Sequence, residues 1–356
     1  MRLNRREVLA GTVATLAAPA LISRANAASG SINLGWIRQF ATAGIVQKEV
    51  ELAKAVGLTV NQVGFNRGLD GLIAMQKGDI DMTDTLIGYT QVCVALSQGI
   101  DVTLVSGTSL GLTEILIAPK LLPSGSHDEK NRAYTGANAW ELLKGKSIGG
   151  ARGSQQEYHL RAYLKENNID FEKDIKFVDL KTNTDQVLAL RQGSIDAACV
   201  IEPTAIQARM EGYAALLTFG YDKARVTALN AGVLVRTDFL LKNRELVQAF
   251  VDTHVKTMNL YKNDRALWAK ETAAVTLFNP EALAHLMDPA DLGLDPKYWE
   301  NLDVSEKLPV TKIQQLAKTL FNGGAVPKDV SDEIPKHIDY SFLEKTTGMS
   351  KEQLGG

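Results

Sequence analysis

Short apolar runs alternate along this chain with amphipathic stretches of helical period, the pattern of strands covered by helices on both faces of a largely parallel sheet. The first half of the pattern predicts strands at 31–37, 58–64, 80–84 and 101–106, with helices at 45–56, 69–77 and 89–98 between them. A second set follows, with strands at 146–151, 175–180 and 195–201 and helices at 155–167 and 183–192. Ser154 stands where the N-cap of the 155–167 helix is expected, after the turn at Arg152 and Gly153.

The two sets echo each other. Residues 72–82, Leu-Ile-Ala-Met-Gln-Lys-Gly-Asp-Ile-Asp-Met, match 187–197, Val-Leu-Ala-Leu-Arg-Gln-Gly-Ser-Ile-Asp-Ala, each a helix stopped by a glycine (Gly78, Gly193) and followed by a buried strand. The expected fold is α/β with two lobes, each a mostly parallel sheet flanked by helices, and a cleft and hinge between them. Thr113 to Ala118 reads as an apolar strand leaving the first lobe, and 119–138 as polar connection. The lobes are drawn as 28–118 with 226–356, and 119–225. After a strand at 230–236 the pattern turns helical at 243–262, 264–276, 279–287 and 310–321. The part from Pro280 on is expected to wrap the first lobe, with 346–356 frayed.

Composition fits a globular protein with room for two cores: 356 residues, 45% hydrophobic and 22% charged. Residues 1–27 read as an export signal, with Arg2, Arg5 and Arg6, an apolar run from Val8 to Ile22 and Ala25-Asn26-Ala27 at the cleavage site. Asn4 to Leu9 resembles a twin-arginine signal. Four Arg and one Glu lie in that segment, so its removal takes the net charge from −2 to −5. A mildly acidic mature chain argues against nucleic acid as partner. Cys93 and Cys199 are read as two buried thiols in different lobes, not a disulfide.

Catalytic motifs fail on context. Gly107-Thr108-Ser109-Leu110-Gly111 matches a nucleophile elbow but runs into a strand where a helix is required. Gly145-Lys146-Ser147 precedes a strand, unlike a P-loop. The five histidines lack metal-ligand spacing, and His159 reads as a partly exposed surface residue. No cofactor is expected.

What remains is binding. Ligands sit beyond the carboxyl ends of parallel strands, which selects the loops at 38–40, 85–89, 107–109 and 152–156. A small anion suits the helix N-terminus at Ser154 to Gln156, and the same device recurs at Gly88-Tyr89. Glu202 ends a strand and faces the same crevice, where it meets a ligand amine or bonds backbone amides at the hinge. Arg38 and Arg152 are possible anion partners. Tyr89 and Tyr158 are candidate apolar walls, whereas Trp36 reads as core.

The chain resembles the extracytoplasmic substrate-binding proteins of the nitrate, taurine and aliphatic-sulfonate group of ABC importers. The resemblance rests on Leu72 to Asp81, on Leu143 to Ile148 with Gly153-Ser154, and on Leu190 to Ala197 leading to Glu202-Pro203. It implies a type II-like periplasmic binding protein, not an enzyme. Such a protein closes on its ligand and presents it to a membrane permease with a cytoplasmic ATPase. The matching ligand positions are Arg38, Gln39, Thr85, Gly88, Tyr89, Thr108, Gly153, Ser154, Gln155, Tyr158 and Glu202. A monomer in the periplasm is the expectation. A sulfonate or taurine-class anion is favoured. A carboxylate or a vitamin-precursor heterocycle is the alternative, and an exported enzyme using the same cleft is less favoured.

Overall fold

The computed structural model describes residues 30–37, 42–84, 86–111, 113–130, 132–219, 229–276, 278–285 and 306–356. The export-signal segment, Arg38, Gln39 and Thr85 lie outside the described residues. Among those described, no helix is long and apolar enough to cross a membrane.

The chain begins β1 (Gly30–Ile37), α1 (Ala43–Ala55), β2 (Leu58–Phe65), α2 (Gly68–Lys77), β3 (Met82–Thr83), α3 (Tyr89–Ser97) and β4 (Val102–Gly111). Next come β5 (Thr113–Ile117), the small hairpin β6 (His127–Asp128) and β7 (Ala133–Tyr134), then β8 (Ser147–Gly150), α4 (Gln155–Glu166), β9 (Lys176–Asp179) and α5 (Asn183–Gln192). β10 (Ala197–Ile201), α6 (Thr204–Met210), β11 (Ala215–Phe219) and β12 (Leu229–Arg236) lead to the helical part. That part holds α7 (Thr237–Lys242), α8 (Arg244–Asn263), α9 (Arg265–Val275), α10 (Pro280–His285), α11 (Val310–Asn322) and α12 (Ser341–Thr347).

The strands form two sheets, β2-β1-β3-β12-β4 and β6-β7-β11-β5-β10-β8-β9. The parallel trio β2-β1-β3 is matched by β9-β8-β10, so the sequence echo is a repeat of topology. Gly78 and Gly193 close α2 and α5 in the left-handed conformation, φ 81° and 73°, which favours a residue without Cβ. Beside each trio runs an antiparallel strand, β12 next to β3 and β5 next to β10. Both sheets are therefore mixed, not mostly parallel.

β5 is a correction. Expected with the first lobe, it pairs with β10 and β11 in the second sheet. All five of its residues are buried, and a strand apolar on both faces needs neighbours on both edges and cover on both sides. The chain thus passes between sheets at 111–113 and returns between Phe219 and Leu229.

Side chains alternate across the second sheet: Ile115, Ile117, Ala197 and Cys199 join one apolar cluster with Leu160 and Leu164, whereas Leu116, Ala198 and Val200 join the other with Val187 and Leu190. The first sheet packs Ile32, Leu34 and Val235 against Leu316, Leu320, Phe342 and Leu354, so the C-terminal part does cover it. The last residues are ordered by this packing: Leu354 is buried and its carbonyl accepts from Leu308 N at 2.8 Å, contrary to the expected fraying.

A buried charge cluster pins the first sheet to its helices. His254 on α8 places Nδ1 2.6 Å from Glu49 Oε1 of α1 and 3.1 Å from Asp84 Oδ2, while Nε2 lies 2.7 Å from the Gly107 carbonyl. Acceptors on both sides require a proton on each ring nitrogen. Thr108 donates to Asp84 Oδ1 at 2.6 Å. The 2.6 Å contact is shorter than the roughly 3.3 Å between two ligands of one tetrahedral zinc, so protons close this cluster.

Burial and then Asp84 push Glu49 well above the ordinary carboxylate range. Burial alone depresses His254, but Asp84 and Glu49 overcome it and hold the ring well above its ordinary value. Both groups keep protons in the folded state that the unfolded chain releases. Stability is therefore expected to fall as pH rises above the ordinary glutamate value of about 4.3 and again above about 6.5. Chemical denaturation between pH 5 and 9 should show a shallower fall for Glu49→Gln than for the native chain. An equal slope would remove Glu49 as a titrating group.

Candidate functional site

Each strand of the two parallel trios is followed by a helix, so these helices start at the carboxyl edge of each sheet. Where the two edges meet there is a crevice enclosing about 410 Å³ of space, part of it open to solvent. The first sheet's side supplies Ile37, Asn66, Arg67, Gly68, Leu86 and Gln91. From the second come Ala151, Ser154, Gln155, Gln156, Lys181, Asn183 and Ile201.

Four helix N-termini converge on it. Gly68 is the first residue of α2, Gln91 lies in the first turn of α3, Gln155 and Gln156 open α4, and Asn183 opens α5. Each carries roughly half a positive charge and amides without intrahelical acceptors. Arg67 and Lys181 add two cationic side chains, and none of the lining residues is acidic. Arg67 is partly committed, since Nε and Nη2 donate to the Asp70 carboxylate at 3.1 and 2.8 Å. Lys181 makes no ion pair among the described residues and is exposed. The arrangement suits a small anion.

An amide network fixes the second sheet's side. Gln156 Nε2 donates to the Asn183 carbonyl oxygen at 2.8 Å and to the Cys199 carbonyl at 2.5 Å, and Gln186 Nε2 donates to the Leu180 carbonyl at 2.9 Å. The Gln91 carbonyl oxygen accepts from Gly88 N at 3.3 Å, and the same side chain packs against Gly68.

Of the residues expected at the site, Ser154 and Gln155 line the crevice. Ser154 is the backbone N-cap of α4, but its hydroxyl donates to the Ala151 carbonyl at 2.6 Å and does not cap. The Gly153 amide is occupied by Glu157 Oε2 at 2.7 Å. Arg152 turns to Glu157 Oε1 at 3.1 Å. Thr108 serves Asp84, and Tyr89 is core, its hydroxyl donating to the Lys307 carbonyl at 3.3 Å. Gly88 bridges to Ala231 of β12, and Tyr158 packs on the first apolar cluster.

Glu202 lies one residue beyond the lining, 5% exposed, with Oε2 accepting from Ile206 N at 2.8 Å. Of its two expected roles, the bond to the helix start is the one present. Burial and then the Glu114 carboxylate hold Glu202 well above the ordinary range, and Arg209 Nη1 donates to Glu114 Oε1 at 2.9 Å. This is a second buried cluster of two acids and one cation.

Gln156 fell within the expected Ser154–Gln156 helix start, whereas Arg67, Gln91, Lys181 and Asn183 were missed. The rule that selected the other loops would have found three of them, had it been applied to the ends of the strands at 58–64 and 175–180. His159 is a further correction: it is 2% exposed, and Nε2 lies 2.7 Å from Thr90 Oγ1 of α3, a buried bond between the two lobes. The helical period placed it on the outer face of α4, but α3 covers that face.

Comparison with known proteins places this geometry among relatives. A family model described as the NMT1-like family matches residues 25–277. The taurine-binding periplasmic protein of Escherichia coli (strain K12) is 26% identical over 234 residues, 64% of this chain and 66% of that one, so the match spans slightly under two thirds of the relative. The alkanesulfonate-binding protein SsuA from Xanthomonas axonopodis pv. citri, bound to MOPS, superposes with a TM-score of 0.68 at 18% identity, covering 87% of this chain and 98% of that one. The periplasmic nitrate-binding protein NrtA from Synechocystis PCC 6803 gives a TM-score of 0.65 at 11% identity, covering 90% and 89%. The fold is that of the periplasmic binding proteins.

Burial holds the His159 ring down to about 3, so it stays neutral in the folded protein while the unfolded chain takes up a proton below about pH 6.5. Stability should therefore fall as pH drops from 6.5 toward 3, by up to about 1.4 kcal/mol per pH unit. His159→Gln is expected to flatten that limb in melts between pH 7 and 4. The same steepness in the variant would assign the limb to another group.

Proposed function

The chain belongs to the NMT1-like family, and from that premise we propose that it is the extracytoplasmic solute-binding component of an ABC importer for a small organic anion of the sulfonate class. The observation that carries this reading is the crevice where four helix N-termini, Arg67 and Lys181 meet without an acidic side chain. The field there is positive and directional, and it needs no catalytic group to hold an oxyanion. The relatives that bind taurine, alkanesulfonates and nitrate support the same ligand chemistry.

In this reading the protein is exported by residues 1–27 and works as a periplasmic monomer. Its ligand docks on one lobe and is met by Ser154, Gln155 and Gln156 from the other. The two passages between sheets act as the hinge, and the closed form docks on the permease. Contacts from both lobes exist only when closed, and that difference drives closure. A carboxylate would use the same donors.

A thermal-shift screen of residues 28–356 against alkanesulfonates, taurine, nitrate, bicarbonate, carboxylates and vitamin-precursor heterocycles tests the proposal. A ligand at about 100 times its Kd should add about 2.7 kcal/mol, and denaturation should return it intact. A shift only with a cationic or neutral heterocycle would overturn the anion reading, and recovery of an altered ligand would make the protein an enzyme. Lys181→Glu, which reverses the exposed charge at the rim, should weaken anion binding by roughly 10-fold at low salt and less at high salt, measurable by calorimetry.

A further inference from the structure

Asn183, a residue of the crevice lining, carries an unanswered donor. The residue is 3% exposed, and its buried Nδ2 has no hydrogen-bond partner among the described residues. Such groups are rare, and each needs an explanation.

The orientation of this amide is not arbitrary. Its carbonyl oxygen accepts from Gln156 Nε2 at 2.8 Å and from the Ile201 backbone N–H at 3.5 Å. Gln156 is itself fixed, because the same Nε2 donates to the Cys199 carbonyl, which can only accept. Turning the Asn183 amide over would set its NH₂ against two donors. The network therefore fixes the oxygen end of the Asn183 amide and leaves its two N–H bonds on the side away from Gln156 and Ile201.

We propose that Asn183 is a specificity-determining residue that donates to an oxygen of the bound anion, and that the site selects simple organic oxyanions over ligands that also carry an ammonium group. The second half follows from the lining. An ammonium group is held against competing cations by a carboxylate, and the described lining offers Arg67, Lys181, neutral amides, a hydroxyl and apolar side chains but no carboxylate. The two acids one residue from the lining, Glu157 and Glu202, accept from Gly153 N and Ile206 N, and Asp70 is paired with Arg67. The neighbouring stretches 38–41 and 85 contain no acid either. The inference rests on the solute-binding reading and narrows its ligand: ethanesulfonate and propionate fit, whereas taurine and β-alanine, which match them but for an added ammonium, do not.

The test is isothermal titration calorimetry with two ligand pairs, ethanesulfonate against taurine and propionate against β-alanine, on the native chain, Asn183→Asp and Asn183→Ala. Asn183→Asp keeps the acceptor for Gln156 and Ile201 but replaces the donor by a charge that repels anions. Asn183→Ala removes the donor together with the oxygen that accepts from Gln156 and Ile201. The native chain should bind at least one simple anion 10-fold or more tighter than its ammonium-bearing partner. Asn183→Asp should weaken that binding roughly 10- to 100-fold, and Asn183→Ala roughly 10-fold, with the far-UV spectrum unchanged in both. Equal anion binding by native chain and folded variants would overturn the role of Asn183 while leaving the solute-binding reading intact. Taurine or β-alanine binding as tightly as its partner would overturn the selectivity. No binding of any of the four by the native chain would overturn both halves, and it would count against the anion reading itself.

Discussion

Each lobe buries two carboxylates around one cation directly behind the loop it turns to the crevice, and the rest of the site is built on that constraint. In the first lobe the group is Glu49, Asp84 and His254; in the second it is Glu114, Glu202 and Arg209, all at most 5% exposed. Asp84 follows β3 and Glu202 follows β10, which are the corresponding third strands of the two parallel trios. Two acids beside one cation cannot all be charged cheaply in a low-dielectric interior, and one carboxyl in each group retains its proton. Such groups add little net stability compared with apolar packing, but taking away the cation alone leaves buried charge. What they supply is position: the acids tie the strand ends to α1, α8, α6 and β5, leaving the loops a fixed floor.

The anion field above that floor follows from topology. In β-α-β units every helix begins at the carboxyl edge of the sheet. Two such lobes facing each other bring α2, α3, α4 and α5 to one place by their N-termini. The cationic side chains sit on the same loops, so dipoles and charges add. Acids stand in the first turns of three of these helices, Asp70 of α2, Glu157 of α4 and Asp185 of α5, each tied to a local partner. Glu157 covers the Gly153 amide below the crevice and draws Arg152 and Arg161 to itself, and Asp70 holds Arg67 in place from the side.

Local pattern carried far into this fold. Helices and strands followed from periodicity, and the left-handed caps at Gly78 and Gly193 followed from the chemistry of chain reversal. Failures occurred where a partner distant in the chain decides. Nothing inside Thr113–Ile117 says that its neighbours are β10 and β11. His159 looks like a surface residue until α3 lies over it, and Thr108 looks like a ligand group until Asp84 takes its hydroxyl. At the site, Ser154 and Gln155 were legible because a glycine turn announces a helix N-terminus after a strand. Arg67 and Lys181 were not, because charged residues between a strand and a helix look like solvated loop. Asn183 has no local signature; the orientation of its amide is set by Gln156 and Ile201, with Gln156 fixed in turn by the Cys199 carbonyl.

α4 joins these themes, because one rigid helix touches ligand space and the opposite lobe together. Its first turn offers Ser154, Gln155 and Gln156 to the crevice. One turn on, His159 bonds Thr90; further along, Ala162 packs on Gly323 and Lys165 donates to the Asn322 carbonyl at the end of α11. Any rotation of the second lobe must move all of these at once. Opening separates a buried hydroxyl–imidazole pair whose ring is already half unsatisfied, since His159 Nδ1 has no partner among the described residues, and water must then solvate both groups. The pair therefore favours closure only as far as its net bond strength, about 1 kcal/mol. A bias of that size leaves the balance to whatever binds at the other end of the helix. Under the proposed function, an anion between Gly68 and Gln155 would add contacts in the closed arrangement that the open one lacks, and a few kcal/mol of such differential contact is enough to reverse the populations.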